Sequence, residues 1–322
     1  IAEPTAAGAA LLWATGSDEH LESLASRASG QGLRLSAGGL FRDRRLVAAA
    51  DEQELYGALG CRWMAPELRE LAEDVDRAAA DSLPELVGSE DLRGALHNHT
   101  TASDGLATVD EMAEAAGALG WSFIGIADHS PVATYANGVD ADRLRDQWRQ
   151  IDAINDRGGV RVVKGLEADI LTDGDLDIPE GCEDGLEYVV ASVHSAFRLE
   201  RERQTERIMT AVAHPACRVL GHPTGRLLLA RPGYELDLER VLEACAAHDV
   251  AVEINASPYR LDLDWRWARR ALDLGVKLVI NPDAHSTAGL DDVRWGVAVA
   301  RKAGAAAGDL INCFDIEEFL RK

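Results

Sequence analysis

From residue 94 onward the chain repeats one pattern seven times: a short apolar run, then a longer amphipathic stretch. The runs are GALHNH, SFIGIADH, VRVVKGLE, YVVASVH, RVLGHP, VAVEINA and KLVINPDAH. Strand-length apolar segments alternating with helical periodicity require a parallel sheet, because each strand must be followed by a crossover before the next can start at the same end. Seven such units predict an α/β fold, a (β/α)7 barrel distorted from the eight-stranded form. Six of the seven runs carry a His, Glu or Asp at or next to their last residue. In parallel βα folds the C-terminal strand ends converge on the place where chemistry is done.

That convergence selects nine candidate metal ligands: His97, His99, His129, His194, His222, His285, Glu167, Asp283 and, just past the first run, Asp104. Side chains alternate along a strand, so His97 and His99 share a face, as do Asp283 and His285. Imidazole with carboxylate suits borderline divalent ions such as zinc, manganese or iron, and nine groups exceed what one tetrahedral ion can use. Two to three ions are therefore expected. The remaining histidines, His20, His214 and His248, lie in helical or turn contexts and are assigned structural roles. Asp128, directly before His129, is a candidate catalytic residue that orients a ligand, with a structural cap as the competing reading. Arg226, four residues after His222, is a candidate substrate-binding phosphate clamp because guanidinium matches phosphate oxygens in pairs, with a surface salt bridge as the alternative. Trp265 and Trp267 sit at helical spacing and are assigned to packing.

Composition narrows the function classes. Thirty-three basic against 55 acidic side chains give a net charge of -22, which argues against broad attraction to nucleic-acid phosphates and leaves any such substrate to a local site. The five cysteines, Cys61, Cys182, Cys217, Cys245 and Cys313, have no C-x-x-C spacing, which suits reduced thiols in a cytoplasm. No apolar run is long enough for a membrane span, and TAAGAALLWATG, with no basic flank, reads as a buried helix. Because the chain opens on Ile1 rather than Met, an upstream segment stays an open possibility. Residues 1–62 read as a small α+β subdomain, in which a TGSDEH turn caps a helix from Asp18; residues 63–92 as a helical linker; and residues 93–322 as the main domain.

In that order LHNHTTASDG, GIADHS, KGLEADI, ASVHS, GHPTGR and NPDAHS resemble the metal-binding motifs of a PHP (polymerase and histidinol phosphatase) domain, over about residues 91–315. More narrowly, SEDLRGALHNHTTASDG, GHPTGRLLLARPGYELD and EINASPYRLDLDWRWARRALDLGVKLVINPDAHS resemble the PHP domain of bacterial family X DNA polymerases, and ALLWATGSDEHLESLASRASGQGLRLSAGGLF resembles the polymerase thumb. The resemblance implies a distorted barrel with three ions: one on His97, His99, Glu167 and Asp283, a second on Glu167, His194 and His222, a third on Asp104, His129 and His285. It implies 3'-5' exonuclease action and related cleavage at DNA 3' ends, generally with manganese, in DNA repair. The family's nucleotidyl-transfer carboxylates lie upstream of the thumb, so this chain is not expected to polymerise DNA. The thumb motif also departs from the family pattern: Trp13 and Ala14 replace an aromatic pair, and Leu21 stands where Asn commonly follows His20, which implies weak nucleotide binding.

Clustered divalent ions supply an activated water, neutralise non-bridging oxygens and stabilise the leaving oxygen, so no protein nucleophile is needed, and no G-x-S-x-G, P-loop or Cys-His arrangement is present. Three readings compete: a nuclease acting on DNA 3' ends, a small-molecule phosphatase of the histidinol-phosphatase type, and a non-catalytic module. The complete ligand set argues against the third, and the thumb-like segment favours the first.

Overall fold

Ser17 ends one helix-breaking turn and starts a helix, its hydroxyl accepting the His20 amide at 3.1 Å, as the TGSDEH pattern predicts. The computed structural model describes residues 3–321, so Ile1 lies outside the described residues; the chain divides into two compact units between Glu85 and Leu86. In the first unit, α1 (Ala7–Thr15) and α2 (Asp18–Gly30) precede an antiparallel sheet of β1 (Arg34–Ser36), β2 (Gly39–Arg42) and β3 (Arg45–Ala48). Two further helices, α3 (Glu52–Ala58) and α4 (Ala72–Ala79), follow. Leu12, Leu24, Leu40, Leu55 and Met64 form its core. Helix α1 packs through Ala9 and Leu12 but leaves Leu11 and Trp13 exposed, so it is amphipathic in use rather than buried all round.

The segment expected as a linker divides. Arg69 is fully buried, donates to the Met64 carbonyl and pairs with Glu52 in bidentate fashion, so residues up to Glu85 fold into the first unit. Regular helix in it is confined to α4.

The second unit is built on six parallel strands in sequence order: β4 (Phe123–Ile126), β5 (Arg161–Asp169), β6 (Tyr188–Ser192), β7 (Cys217–Leu220), β8 (Ala251–Asn255) and β9 (Leu278–Asn281). The run GALHNH is extended but makes no regular ladder. It closes the curled sheet irregularly: the Gly125 and Ala127 amides donate to the Ala95 and Asn98 carbonyls at 2.8 Å, and the His99 amide donates to the Ala284 carbonyl at 2.9 Å. Approach is so tight at Gly94 that a Cβ there would overlap the Phe123 carbonyl, which only glycine permits. The barrel thus has six ladder strands and one seam, not seven equal strands.

Outside the sheet lie α5 (Val109–Ala118), α6 (Ala141–Asp156), α7 (Arg201–Val212), α8 (Leu238–His248), α9 (Trp265–Asp273) and α10 (Val293–Ala303). Thr108 and Glu111 form a capping box on α5, and Asp140, Asp237 and Asp264 cap α6, α8 and α9. Inside the barrel, Phe123, Val163, Tyr188, Val219, Ala251 and Val279 fill the N-terminal end, closed by Ile316 and Phe319 of α11 (Ile316–Leu320). With that end plugged by apolar side chains, polar groups collect at the other. Of the two tryptophans assigned to packing, Trp265 packs half-buried against the core of this unit, whereas Trp267 is exposed, because two residues along a helix is not the spacing of one face. The five cysteines are free thiols, and among the described residues no helix is long and apolar enough to cross a membrane.

Candidate metal centre

All nine predicted ligands meet at the C-terminal strand ends. Glu167, at the centre, lies 3.1 Å from His97 Nε2, 2.9 Å from His129 Nδ1, 3.2 Å from His194 Nε2 and 3.1 Å from His222 Nε2. Asp283 Oδ1 lies 3.1 Å from His99 Nε2, while Asp104 approaches His285 at 3.4 Å and His129 at 3.7 Å. Ligand atoms gather within 4.8 Å in three overlapping sets: His99, Asp104, His129 and His285; His97, His99 and Asp283; His129, Glu167 and His194. The partition implied by the resemblance shifts accordingly: His99 and His129 each stand between two sets, and His222, expected with Glu167 and His194, falls in none of the three and meets the cluster through Glu167. His97 and His99 are fully buried, whereas the Asp104 and His285 side chains are 33% and 40% exposed, so the cluster opens on that side.

Several of these groups are close without being aligned for hydrogen bonds. His97 Nε2, His99 Nδ1, His129 Nδ1, His222 Nδ1 and Glu167 Oε2 are buried and have no hydrogen-bond partner. Four of these atoms face the cluster, since His222 turns its Nε2 and not its Nδ1 to Glu167, and each would cost about 1–3 kcal/mol unless a ligand compensates. Divalent ions fit this donor set of imidazole nitrogens and carboxylate oxygens.

Proton affinities follow the same crowding. Burial opposes charge on His97, yet Glu167, Glu253 and Asp283 outweigh it and raise its pKa well above the usual imidazole range. His194 is likewise raised to about 10, against burial, by Glu167 and Asp169, and His285 to about 9 by its bond to Asp104. His222 moves the other way, to about 3, through burial and the nearby Arg260. Burial opposes ionisation of Glu167 and Asp283 too, but the surrounding imidazoles hold both well below the usual carboxylate range.

Two ligands occupy left-handed backbone, His222 at φ 24° and Asp283 at φ 54°. Such geometry is costly for non-glycine residues and persists only where neighbours enforce it. Glu253 does so at His222 by accepting its amide at 2.5 Å, and Asn255 at Asp283 by donating to Oδ2 at 3.1 Å.

Residues 95–257, half of the chain, match the PHP domain family. The chain belongs to the PHP family. Residues 10–70, ahead of this PHP domain, match the DNA polymerase beta thumb. Over 314 residues the chain is 37% identical to the DNA polymerase/3'-5' exonuclease PolX of Bacillus subtilis, a match covering 96% of this chain and 55% of that protein. The chain thus spans about half the length of that relative. A Thermoanaerobacter protein (strain X514) assigned as a phosphatase is 28% identical over 240 residues, covering 70% of this chain and 93% of the relative. Among solved structures, a Listeria monocytogenes protein assigned as the histidinol phosphatase hisK superposes with a TM-score of 0.50 at 14% identity, over 61% of this chain and 97% of that one, which speaks to fold alone.

Two predicted site residues of the PHP domain do other work. Asp128 is buried beside the cluster but does not touch it: its carboxylate accepts from the Thr100 amide at 2.8 Å, the Thr100 hydroxyl at 2.6 Å, the Ser103 hydroxyl and the Gln147 amide. Both oxygens are occupied in holding the loop that carries Asp104, so Asp128 is a loop anchor rather than a catalytic group. Arg226 donates to the Arg260 carbonyl at 2.9 Å and to the Leu261 carbonyl, which leaves it no free fork for a phosphate. Its partner segment supplies the cation instead. Arg260 Nε lies 3.5 Å from Asp283 Oδ2, and its guanidinium donates no hydrogen bond among the described residues.

Sequence reasoning missed four residues of this site. Glu253 meets His97 Nδ1 at 2.8 Å and Asp169 meets His194 Nδ1 at 2.6 Å, each fixing the tautomer that turns the other ring nitrogen to the cluster. Both had a signal, since Asp169 follows Glu167 by two, the period of one strand face, and Glu253 sits mid-run in an apolar strand where a lone carboxylate needs a partner. Arg260 and Tyr135, whose ring lies 6.0 Å from that of His129, are in loops where no periodicity points to them. His20, His214 and His248 lie outside the cluster, and His20 is bonded to the Tyr56 hydroxyl at 2.9 Å.

Proposed function

We propose that the PHP domain of this chain is a phosphoester hydrolase acting on DNA 3' ends as a 3'-5' exonuclease, with two to three divalent ions, manganese, zinc or iron, as cofactors. The observation that carries this reading is the cluster of eight ligand groups, joined by His222 through Glu167 at 3.1 Å and open beside Asp104 and His285, in a chain that also matches a polymerase thumb. When bound, such ions activate water near neutral pH and offset charge on phosphoryl oxygens. The nine ligands named above would hold them. The protein's own contribution is orientation: Glu253 and Asp169 fix the His97 and His194 rings, Asn255 holds Asp283, and Asp128 fixes the loop of Asp104. Arg260, held beside Asp283 by a 3.5 Å ion pair, takes the phosphate-binding role first assigned to Arg226.

Leu21 is buried in the thumb-like unit and Ala14 offers no ring, so the first unit is proposed to add little nucleotide affinity. The free, mostly buried thiols support a reducing, cytoplasmic setting. The competing reading, a histidinol-phosphatase-type enzyme, draws on the phosphatase relatives that match along nearly their whole length. A manganese-replete assay offering 5'-labelled single-stranded DNA, 3'-phosphate DNA and histidinol phosphate side by side separates them. A ladder shortening with time supports the nuclease; intact DNA beside rapid phosphate release from histidinol phosphate replaces it with the phosphatase.

A further inference from the structure

The exposed apolar surface of the second unit is unevenly placed. Of its exposed large apolar side chains, Leu106, Val132, Tyr135, Leu228, Leu229 and Tyr259 sit in loops that follow C-terminal strand ends or the seam, and Leu119, Trp267 and Trp295 lie on or beside the outer helices. Exposed large apolar groups gathered on one face mark a binding surface. Tyr135 is the nearest to the chemistry. It is 70% exposed, and its ring stands 6.0 Å from that of His129 and 6.3 Å from that of His194, steeply inclined to both at 62° and 70°.

The perch under Tyr135 is firm. Its helical turn (Thr134–Ala136) is flanked by buried Ala133 and contains buried Ala136; the Ala136 and Gly138 amides donate to the Ala133 carbonyl, and Asn137 reaches across to the Ser103 carbonyl at 3.1 Å. An exposed aromatic ring on an anchored turn, beside two ligand imidazoles, loses little entropy when a flat partner lies on it.

Much of the positive charge on this rim is already committed to backbone carbonyls. Arg143 is bonded to the Asn137, Gly138 and Ala102 carbonyls, Arg231 to the Gly225 carbonyl, and Arg226 to the carbonyls described above. A polyanion lying on this rim meets Arg260, paired to Asp283 at 3.5 Å, the exposed Arg198 four residues after His194, and a surface of rings and aliphatic groups. Every nucleobase has a face that stacks on such a ring without regard to sequence.

We infer that Tyr135 is the platform on which the base at an unpaired 3' end stacks, making it a specificity-determining residue that selects base-bearing strand ends over phosphoesters that lack a base. The inference rests on the nuclease reading and adds the recognised group: the base, held by Tyr135, rather than the phosphate backbone. A paired terminal base is already stacked in its duplex and must be withdrawn before it reaches the ring, so frayed ends are taken first.

The test uses the full chain with manganese and measures the first cut on two 5'-labelled single strands, one ending in thymidine and one ending in a tetrahydrofuran abasic residue, beside bis(p-nitrophenyl) phosphate. Tyr135→Ala should raise KM for the thymidine end by about ten-fold, the loss of one base–ring stack, with kcat within about two-fold. The abasic end and the small diester should be unaffected, and Tyr135→Phe should restore the wild-type KM, since the ring and not the hydroxyl acts. The stacking role is overturned if Tyr135→Ala slows all three substrates alike, if it changes none of them, or if Phe fails as Ala does. Wild-type protein that hydrolyses the small diester but cuts neither strand overturns the nuclease reading itself, and the stacking role with it.

Discussion

Glu253 serves two ligands at once, meeting His97 Nδ1 with one oxygen and accepting the His222 amide with the other. Replacing it by Gln keeps the size but offers one acceptor where two are used, so either the His97 tautomer or the strained His222 backbone loses its support. Glu253→Gln is expected to lower metal affinity by about 10- to 100-fold with the circular dichroism spectrum unchanged, measured by competition with a chelator. The buried histidine His20 carries a different expectation. Burial, with the nearby Arg69, pulls its pKa from the usual 6.5 to about 4 in the folded state, so the unfolded chain binds the proton more readily. Stability from this group is therefore complete above pH 6.5 and lost as pH falls towards 4, at most about 3 kcal/mol. Urea titrations of wild type and His20→Gln across that window should converge at low pH; parallel curves would remove the assignment.

At the scale of elements, the loop after β8 and the loop after β7 act as one device, since Arg226 of the second holds the Arg260 and Leu261 carbonyls of the first. Arg260→Ala should lower kcat/KM for DNA by about ten-fold to a few hundred-fold, the loss of one charge-assisted phosphate contact of about 1.5–3 kcal/mol. Arg226→Ala acts only by misplacing Arg260. The double variant should then be little worse than Arg260→Ala alone, whereas multiplied losses in the steady-state rates would mean that Arg226 meets the substrate directly.

For the whole molecule, the ligand cluster and the acidic surface together set the conditions of binding. His97, His194 and His285 are held protonated well past neutral pH by the carboxylates around them. Ions must displace those protons, because a ligating imidazole is neutral. Calorimetry in buffers of different ionisation enthalpy at pH 7.5 should register about two to three protons released per chain as manganese is added, and metal occupancy by elemental analysis should fall as pH is lowered. Zero proton release would place the ions elsewhere. With a net charge of -22 and few guanidinium groups at the site, few counterions are displaced by DNA, so KM should rise only shallowly with salt.

The repeated runs and their terminal His, Glu and Asp were sufficient to predict a parallel barrel and all nine members of the cluster, because strand period and strand direction are local properties that place such residues at one end of any βα fold. The cap at Ser17 was legible for the same reason: its partner lies three residues away. Tertiary structure alone decided which polar groups beyond the ligands matter. Asp128 and Arg226 look free in the sequence and are each consumed by partners distant along the chain, Thr100 and Gln147 for one, Arg260 and Leu261 for the other. Glu253, Asp169, Arg260 and Tyr135 gain their roles only where the closing barrel brings loops and strands together, and hydrogen-bond partners so far apart in sequence leave no periodicity to read. The seam at GALHNH has the same origin: its apolar pattern is that of a strand, but it approaches tightly at Gly94 and is joined to its neighbours by individual bonds rather than a ladder.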